Sequence, residues 1–238
     1  MTQAAEPGTL PEPQVRAMFD RIARVYDRMN AVMTAGMHQR WRERAADLAA
    51  LEPGARALDV ATGTGDLALA LERRIAPGGA VVGMDFSEQM LALARKKAES
   101  RAGISFESGN ALGLHYADDE FDAATVGFGA RNFSDLRRGL AEMARVVRPG
   151  GRVVVLEITT PARPPLSLFF RLWFDRIVPA LGRFAGDPDA YTYLPSSVKR
   201  FPSARGLAAE LEVVGLTGIR YYLTAGGIIA IHVGTVAP

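Results

Sequence analysis

The segment Asp59-Val60-Ala61-Thr62-Gly63-Thr64-Gly65-Asp66 closes an apolar run and sets two glycines two positions apart. After the first strand of an open α/β sheet, such a turn lets the backbone approach a ligand closely at the carboxyl ends of the strands. Asp85 ends the next apolar run, 20 positions beyond Gly65. A carboxylate there can accept hydrogen bonds from both hydroxyls of an adenosine ribose, and Phe86 is placed with it in the same expected set. Gly63 to Ala68 also fits the G-x-G-x-x-A dinucleotide fingerprint, so these residues alone leave an NAD-dependent oxidoreductase open. A purely structural glycine turn with a helix-capping Asp is a third reading. Against the oxidoreductase, the chain has no Tyr-x-x-x-Lys pair.

Other groups carry weaker signals. Asn110, in Ser108-Gly109-Asn110-Ala111, could read an adenine edge through its side-chain amide with the adjacent backbone N–H, although in isolation it reads as a turn residue. His38 and His115 titrate near neutrality and could serve as bases, whereas His232 alternates along a terminal strand and reads as a sheet residue. For His38 and His115 a structural or surface role is the commoner one. No His, Asp or Glu cluster has metal-ligand spacing, so no metal is expected. Without cysteine, disulfides, thiolate metal sites and cysteine nucleophiles are excluded.

The elements that must hold these residues alternate along the chain. Val15, Met18, Ile22, Val25 and Met29 recur at helical spacing, and a second amphipathic stretch covers Met37 to Ala50. A strand follows at Ala55 to Ala61, a helix from Asp66, a strand at Val81 to Asp85 and a helix with Ser87 as N-cap. Strands at Ile104 to Glu107 and Phe121 to Val126 precede a helix capped by Ser134. Arg148-Pro149-Gly150-Gly151 then turns into the strand Arg152 to Glu157. Gly218 to Leu223 and Ile228 to Val233 read as a hairpin joined by Thr224-Ala225-Gly226-Gly227. The order predicts a Rossmann-like, doubly wound α/β sheet of seven strands, mostly parallel, with an antiparallel C-terminal hairpin strand. A dinucleotide fold does not usually end in such a hairpin.

The totals bound the rest. A chain of 238 residues that is 48% hydrophobic suits one large domain with a substantial core. Residues 1–14, with prolines at 7, 11 and 13, read as a loose tail and not as an export signal. Residues 15–238 then form a single domain, with helices over 15–50 and an apolar helical insertion over about 163–200. No apolar run reaches the roughly 18 residues of a membrane span, and a net charge of +2 gives no basic stripe for nucleic acid. A cytoplasmic protein is expected, with contact at the inner membrane face and a homodimer left open.

Tyr26-Asp27-Arg28-Met29-Asn30-Ala31-Val32-Met33-Thr34-Ala35-Gly36-Met37-His38-Gln39-Arg40-Trp41 resembles one signature of the ubiquinone/menaquinone biosynthesis C-methyltransferases, and Arg145 to Thr159 resembles the other. Phe128-Gly129-Ala130-Arg131-Asn132 and Tyr191 to Val198 are similar to that family too, so the likeness spans roughly residues 15 to 235. It implies a class I S-adenosylmethionine-dependent fold, whose last strand inserts beside the fifth. It also implies methyl transfer from S-adenosylmethionine to a ring carbon of a polyprenyl quinol. Demethylmenaquinol is the expected acceptor, with the benzoquinol precursor of ubiquinone as alternative. Outside this class, a reductase or a non-catalytic quinone-binding protein are the remaining readings.

Carried onto this chain, the family's cofactor contacts fall on Thr64, Asp85, Asn110 and Ala111, beside Asp59, Gly63, Gly65, Phe86 and Gly127. Gly127 stands where relatives commonly have Ser. Thr34 and Thr159 also replace Ser but keep the hydroxyl. A ring carbon becomes nucleophilic when the neighbouring hydroxyl ionises, and a phenol of pKa ~10 is neutral at pH 7. Arg131 is assigned to stabilise that oxyanion, and Asn132 to orient the oxygen or a water. Without the resemblance, an Arg in a loop reads as a solvated charge. Of the aromatics Tyr26, Trp41, Tyr191 and Tyr193, the family motifs favour Tyr26 and Tyr193 as walls of the quinol pocket.

Leu166 to Pro179 is unusually apolar, with Phe169, Phe170, Trp173 and Ile177 expected on one helical face and Arg171 and Asp175 opposite. From Arg163 to Arg183 there are four Arg against one Asp. Such a segment could lie at a bilayer interface and admit a prenyl tail, or pack as a lid on the core or on a second subunit.

Overall fold

The computed structural model describes residues 10–161, 164–178 and 188–238, the last stretch with side chains from 193 onward. Two helices lead, α1 (Glu12–Thr34) and α2 (Met37–Leu48). The alternation is β1 (Arg56–Val60), α3 (Asp66–Ile75), β2 (Ala80–Asp85), α4 (Glu88–Lys97), β3 (Ile104–Ser108), β4 (Phe121–Gly127), α5 (Leu136–Arg145) and β5 (Val147–Ile158). Then come α6 (Leu166–Leu172), running into a π turn at Trp173–Ile177, α7 (Pro188–Arg200), α8 (Ala204–Val213), β6 (Leu216–Thr224) and β7 (Ile229–Val236).

The strands form one seven-stranded sheet in the order β3-β2-β1-β4-β5-β7-β6. The first five pair in parallel, while β7 inserts antiparallel between β5 and β6. The expected α/β class, the terminal hairpin and its place beside the fifth strand are all borne out. From β1 the chain winds outward through β2 and β3, then restarts on the other side at β4. The carboxyl ends of β1 and β4 therefore flank the switch point where such sheets bind ligands.

Val153 to Leu156 in β5 are fully buried, as a strand covered on both faces requires. One face is packed by Trp41, Ala45, Leu67, Leu71 and Ile75 of α2 and α3, the other by Leu140, Met143, Leu207 and Leu211 of α5 and α8. A third cluster lies off the sheet and joins Val15, Met18 and Ile22 of α1 to Met90, Phe170, Phe174 and Tyr193. That cluster holds α1 and α6 over the switch point.

Three local expectations change. The cap of α5 is Asp135, whose carboxylate accepts from the N–H of Arg138 at 2.9 Å, one residue after Ser134. Strand β5 already pairs at Val147 with Phe121; residues 148–151 then bulge out around Gly150 (φ +80°) before Arg152 resumes against Ala123. In α6 and its π turn the buried row is Phe170, Phe174 and Val178, while Phe169 is half exposed and stacks on Trp173. Two apolar rows of i, i+4 spacing run along this helix, and contact with α1 decides which turns inward. Parts of 163–183 lie outside the described residues, as do 1–9; positions 12–14 belong to α1.

Candidate active site

The glycine loop is shaped by left-handed backbone at Ala61 (φ +51°), Gly63 (φ +57°) and Gly65 (φ +83°). A Cβ on Gly65 would also come within 3.0 Å of the Phe106 ring and 3.1 Å of Ala94, so only glycine fits there. The loop is stitched to β2 by its acidic partner: Gly63 N–H donates to Asp85 Oδ2 at 2.8 Å and Ser87 N–H to Oδ1 at 2.9 Å. A carboxylate oxygen can accept more than one hydrogen bond. Burial pushes the Asp85 carboxyl up to about 6, against the pull of the Ser87 and Gly63 amides.

Asp59 was expected among the cofactor contacts but does not line the cleft. Its oxygens accept from Thr62 Oγ1 and Thr125 Oγ1, both at 2.6 Å, and burial pushes its carboxyl up to about 6. It braces the loop against β4. Gly65 likewise shapes the turn without lining the cleft.

Above the loop lies a cleft of about 800 Å³, open to solvent and lined by Gly63, Thr64, Asp85, Phe86, Asn110, Ala111, Gly127 and Phe128. Its roof is α1, through Glu12, Phe19 and Tyr26. Asn110 Oδ1 accepts from Leu112 N–H and its Nδ2 donates to Glu12 Oε1 at 2.7 Å, so the amide is tied into a turn and to the roof. The Thr64 hydroxyl donates to Asp27 and accepts from Lys97, which leaves its backbone at the cleft wall. A Cβ on Gly127 would sit 3.1 Å from Leu67 Cδ2, a packing reason for glycine here.

A second cleft, about 1550 Å³, is walled by Met18, Met29, Met33, Trp41, Ile158, Phe170 and Trp173. The few polar side chains in this apolar wall include His38, Arg131, Asn132 and Tyr193. Phe19, Tyr26, Phe128 and Asn132 line both clefts, so the two meet there. Phe128 is held at φ +63°, a strained conformation for an aromatic residue, with Arg42 over its ring at 5.2 Å. Backbone strain of this kind concentrates at functional sites.

Arg131, assigned to the oxyanion, is already paired. Its Nη1 donates to Glu157 Oε1 at 2.7 Å and to Phe128 O, and the side chains of the pair are 8% and 1% exposed. A buried one-to-one ion pair is neutral as a unit and cannot stabilise an oxyanion as a lone charge would. What it offers instead is directed N–H: Arg131 Nε and, beside it in sequence, Asn132 Oδ1 are buried with no hydrogen-bond partner among the described residues. Buried polar atoms are normally paired, so these two mark a place for an incoming polar group. Burial raises the Glu157 carboxyl, opposed by Arg131, and raises the Tyr193 hydroxyl likewise.

Among the histidines, His115 sits at the surface beside Glu107, and His232 is a buried β7 residue bonded to Ala204 O at 2.7 Å. The side chain of Tyr191 lies outside the described residues. Sequence reasoning missed Glu12 and Phe19, because α1 folds back over a loop fifty residues away. It also missed Glu157, whose one signal was a carboxylate inside an otherwise apolar strand.

The profile of the ubiE/COQ5 methyltransferase family matches residues 8–236. The chain belongs to that family. A demethylmenaquinone methyltransferase of Thermus thermophilus is 48% identical over 91% of this chain and 99% of its own length. Another, of Deinococcus radiodurans, is 46% identical over 92% and 91%. Among solved structures, an S-adenosylmethionine-dependent methyltransferase of Thermotoga maritima superposes with a TM-score of 0.65 at 20% identity, covering 92% of this chain and 98% of its own. The expectations of a methyltransferase and of S-adenosylmethionine as methyl donor stand. The first cleft fits that donor: the Asp85 carboxylate and the glycine loop share its wall, and the loop leaves room for close approach.

Proposed function

We propose that the protein is a C-methyltransferase that transfers the methyl group of S-adenosylmethionine to a ring carbon of demethylmenaquinol, giving menaquinol. The reading is carried by the junction at Tyr26, Phe128 and Asn132, where the cleft over the glycine loop and Asp85 opens into a larger, more apolar one. The names of the relatives support the naphthoquinol over the benzoquinol of ubiquinone biosynthesis. They also leave the reductase and the non-catalytic carrier without support.

In this reading Asp85 accepts the ribose hydroxyls, Phe86 packs on the nucleoside, and the backbone at Gly63, Thr64, Asn110, Ala111 and Gly127 completes the wall. When bound, S-adenosylmethionine supplies an electrophilic methyl on a sulfonium, so transfer rests on in-line alignment. Arg131 Nε donates to the quinol oxygen and favours its ionised form, Asn132 Oδ1 accepts from a water that takes the proton, and together they hold the neighbouring carbon at the junction. Glu157 locks the guanidinium. Tyr26 and Tyr193 wall the ring, and Met29, Met33 and Trp173 line the way for the prenyl tail. The experiment is incubation of each dithionite-reduced quinol with methyl-labelled S-adenosylmethionine, read by mass spectrometry. Label on the naphthoquinol is expected; label on neither ring refutes the assignment.

Access from a bilayer surface is part of the same proposal. No helix among the described residues is long and apolar enough to span a membrane. Yet Val32, Met37 and Phe169 are exposed and also line the apolar cleft, with Leu168 and Leu172 exposed on α6. This rim suits shallow contact with acyl chains. Flotation with anionic liposomes should carry the protein up, and Phe169→Ala with Leu172→Ala should abolish it. The edge strand β6 exposes Tyr221, Tyr222 and Leu223 and is the surface we assign to self-association, testable by light scattering.

A further inference from the structure

One buried pair between the two clefts is not used by the chemistry above. His38 and Arg42 lie one turn apart on α2, and Arg42 Nη1 reaches His38 Nδ1 at 2.6 Å and His38 O at 3.3 Å. Both residues are buried, at 5% and 6% exposure. His38 lines the apolar cleft, whereas Arg42 lines the cofactor cleft and covers the Phe128 ring between them.

A guanidinium only donates, so Nδ1 must be the acceptor and the neutral ring carries its proton on Nε2. Burial and the adjacent Arg42 both hold the ring below its ordinary pKa, against the weaker pull of Asp66 and Asp27, with Lys97 acting alongside Arg42. His38 is therefore not the base that its type suggests. It is a fixed hydrogen-bond donor, and Nε2 has no partner among the described residues.

A 1,4-quinol presents two oxygens at opposite ends of its ring. Arg131 and Asn132, in the turn Ala130–Asn132 after β4, offer polar atoms for one; His38 comes from a different wall of the cleft, the first turn of α2. We propose that His38 is a substrate-binding residue whose Nε2–H donates to the quinol oxygen remote from Arg131 and Asn132, with Arg42 as the positioning residue that fixes its tautomer. The proposal rests on the quinol reading above and names a second anchor for that ring. Two donors at opposite ends of an apolar slot would orient a flat ring that packing alone leaves free to slide.

The test compares His38→Phe, which keeps a ring without a donor, with His38→Gln, which keeps a donor. With dithionite-reduced demethylnaphthoquinol as substrate, His38→Phe should raise KM about tenfold, the effect of one lost buried hydrogen bond, with the Kd for S-adenosylmethionine unchanged. His38→Gln should recover most of that loss. Equal KM in wild type and His38→Phe overturns the proposal, as does an equal defect in both variants that tracks their melting temperatures. A second measurement needs no variant at His38: ¹⁵N NMR of the wild-type imidazole should report the Nε2–H tautomer and a shift of Nε2 on adding reduced 1,4-naphthoquinol. Arg42→Met should give a tautomer mixture. An Nδ1–H tautomer, or no Nε2 response, overturns it. If the wild type methylates neither quinol, the functional reading itself has failed; if it methylates the naphthoquinol and His38→Phe is silent, only this inference has.

Discussion

Arg131 Nη1 stands 2.7 Å from Glu157 Oε1 in a site where neither side chain is more than 8% exposed. Taking one partner away leaves the other charge buried and uncompensated, which typically destabilises by about 3 kcal/mol or more, whereas removing both is far milder. Glu157→Gln should therefore lower the urea midpoint markedly, and Arg131→Met with Glu157→Gln should restore most of it. Turnover should stay low in both, because Arg131 Nε is then misplaced or absent. Affinity for S-adenosylmethionine should remain within about threefold in each, since neither residue lines the cofactor cleft. A double variant with wild-type turnover would contradict the role given to Arg131.

Asp85 gives the pH dependence two opposite signs. Its carboxyl is pushed up to about 6, above the ~3.9 of an unfolded Asp, so the ligand-free fold holds its proton more tightly than the unfolded chain does. That contribution to stability is full below about pH 4 and is lost as pH rises through about 6. Ribose hydroxyls need the ionised carboxylate as acceptor, so cofactor affinity should be full above about pH 6 and fall about tenfold per unit below. Calorimetric titration from pH 5 to 8 should show that slope in the wild type. Asp85→Asn should flatten it at a weaker affinity, and Asp59→Asn should keep it, because Asp59 titrates near the same pH without touching the cleft.

The glycine at 127 is a packing choice that can be reversed. A Cβ there would meet Leu67 Cδ2 at 3.1 Å, and Leu67 is itself buried. Gly127→Ser should cost about 1 kcal/mol from overpacking. Leu67→Val in the same background should recover it, and the new hydroxyl should then tighten cofactor binding about threefold. Thermal melts and calorimetry of the two variants check both parts.

What the chain disclosed in advance follows from the range of the interactions involved. The glycine loop, Asp85 and the Ser87 cap are local devices whose residue types and spacing encode their conformation, and the alternation of strands and helices gave the doubly wound parallel class. Two features needed the third dimension. Arg131 and Glu157 are 26 positions apart, and nothing in either segment tells that a loop cation and a strand carboxylate neutralise each other. The inward row of α6 was misread because Phe169 and Phe170 are equally apolar, and only the cluster with α1 separates them.

Ties along α1 that fasten the roof over the cofactor cleft include Glu12 to Asn110, Asp20 to Ser87 at 2.6 Å, and Asp27 to Lys97 at 2.7 Å. Lys97 also reaches Asp66 at 2.7 Å, so α1, α4 and the glycine loop share one charged knot. Together with the apolar cluster around Met90 these ties oppose the lifting of α1, and a lifted α1 widens the way into the cleft, since Phe19 and Tyr26 line it from above. Asp20→Ala with Asp27→Ala removes two of these ties. Amide exchange along 12–27 should quicken in that variant, and stopped-flow displacement should show S-adenosylmethionine leaving at least severalfold faster. Association should also speed up, so Kd changes less than either rate. A faster release with unchanged association would mean that the ties hold the cofactor directly, and the gate would have to be sought elsewhere.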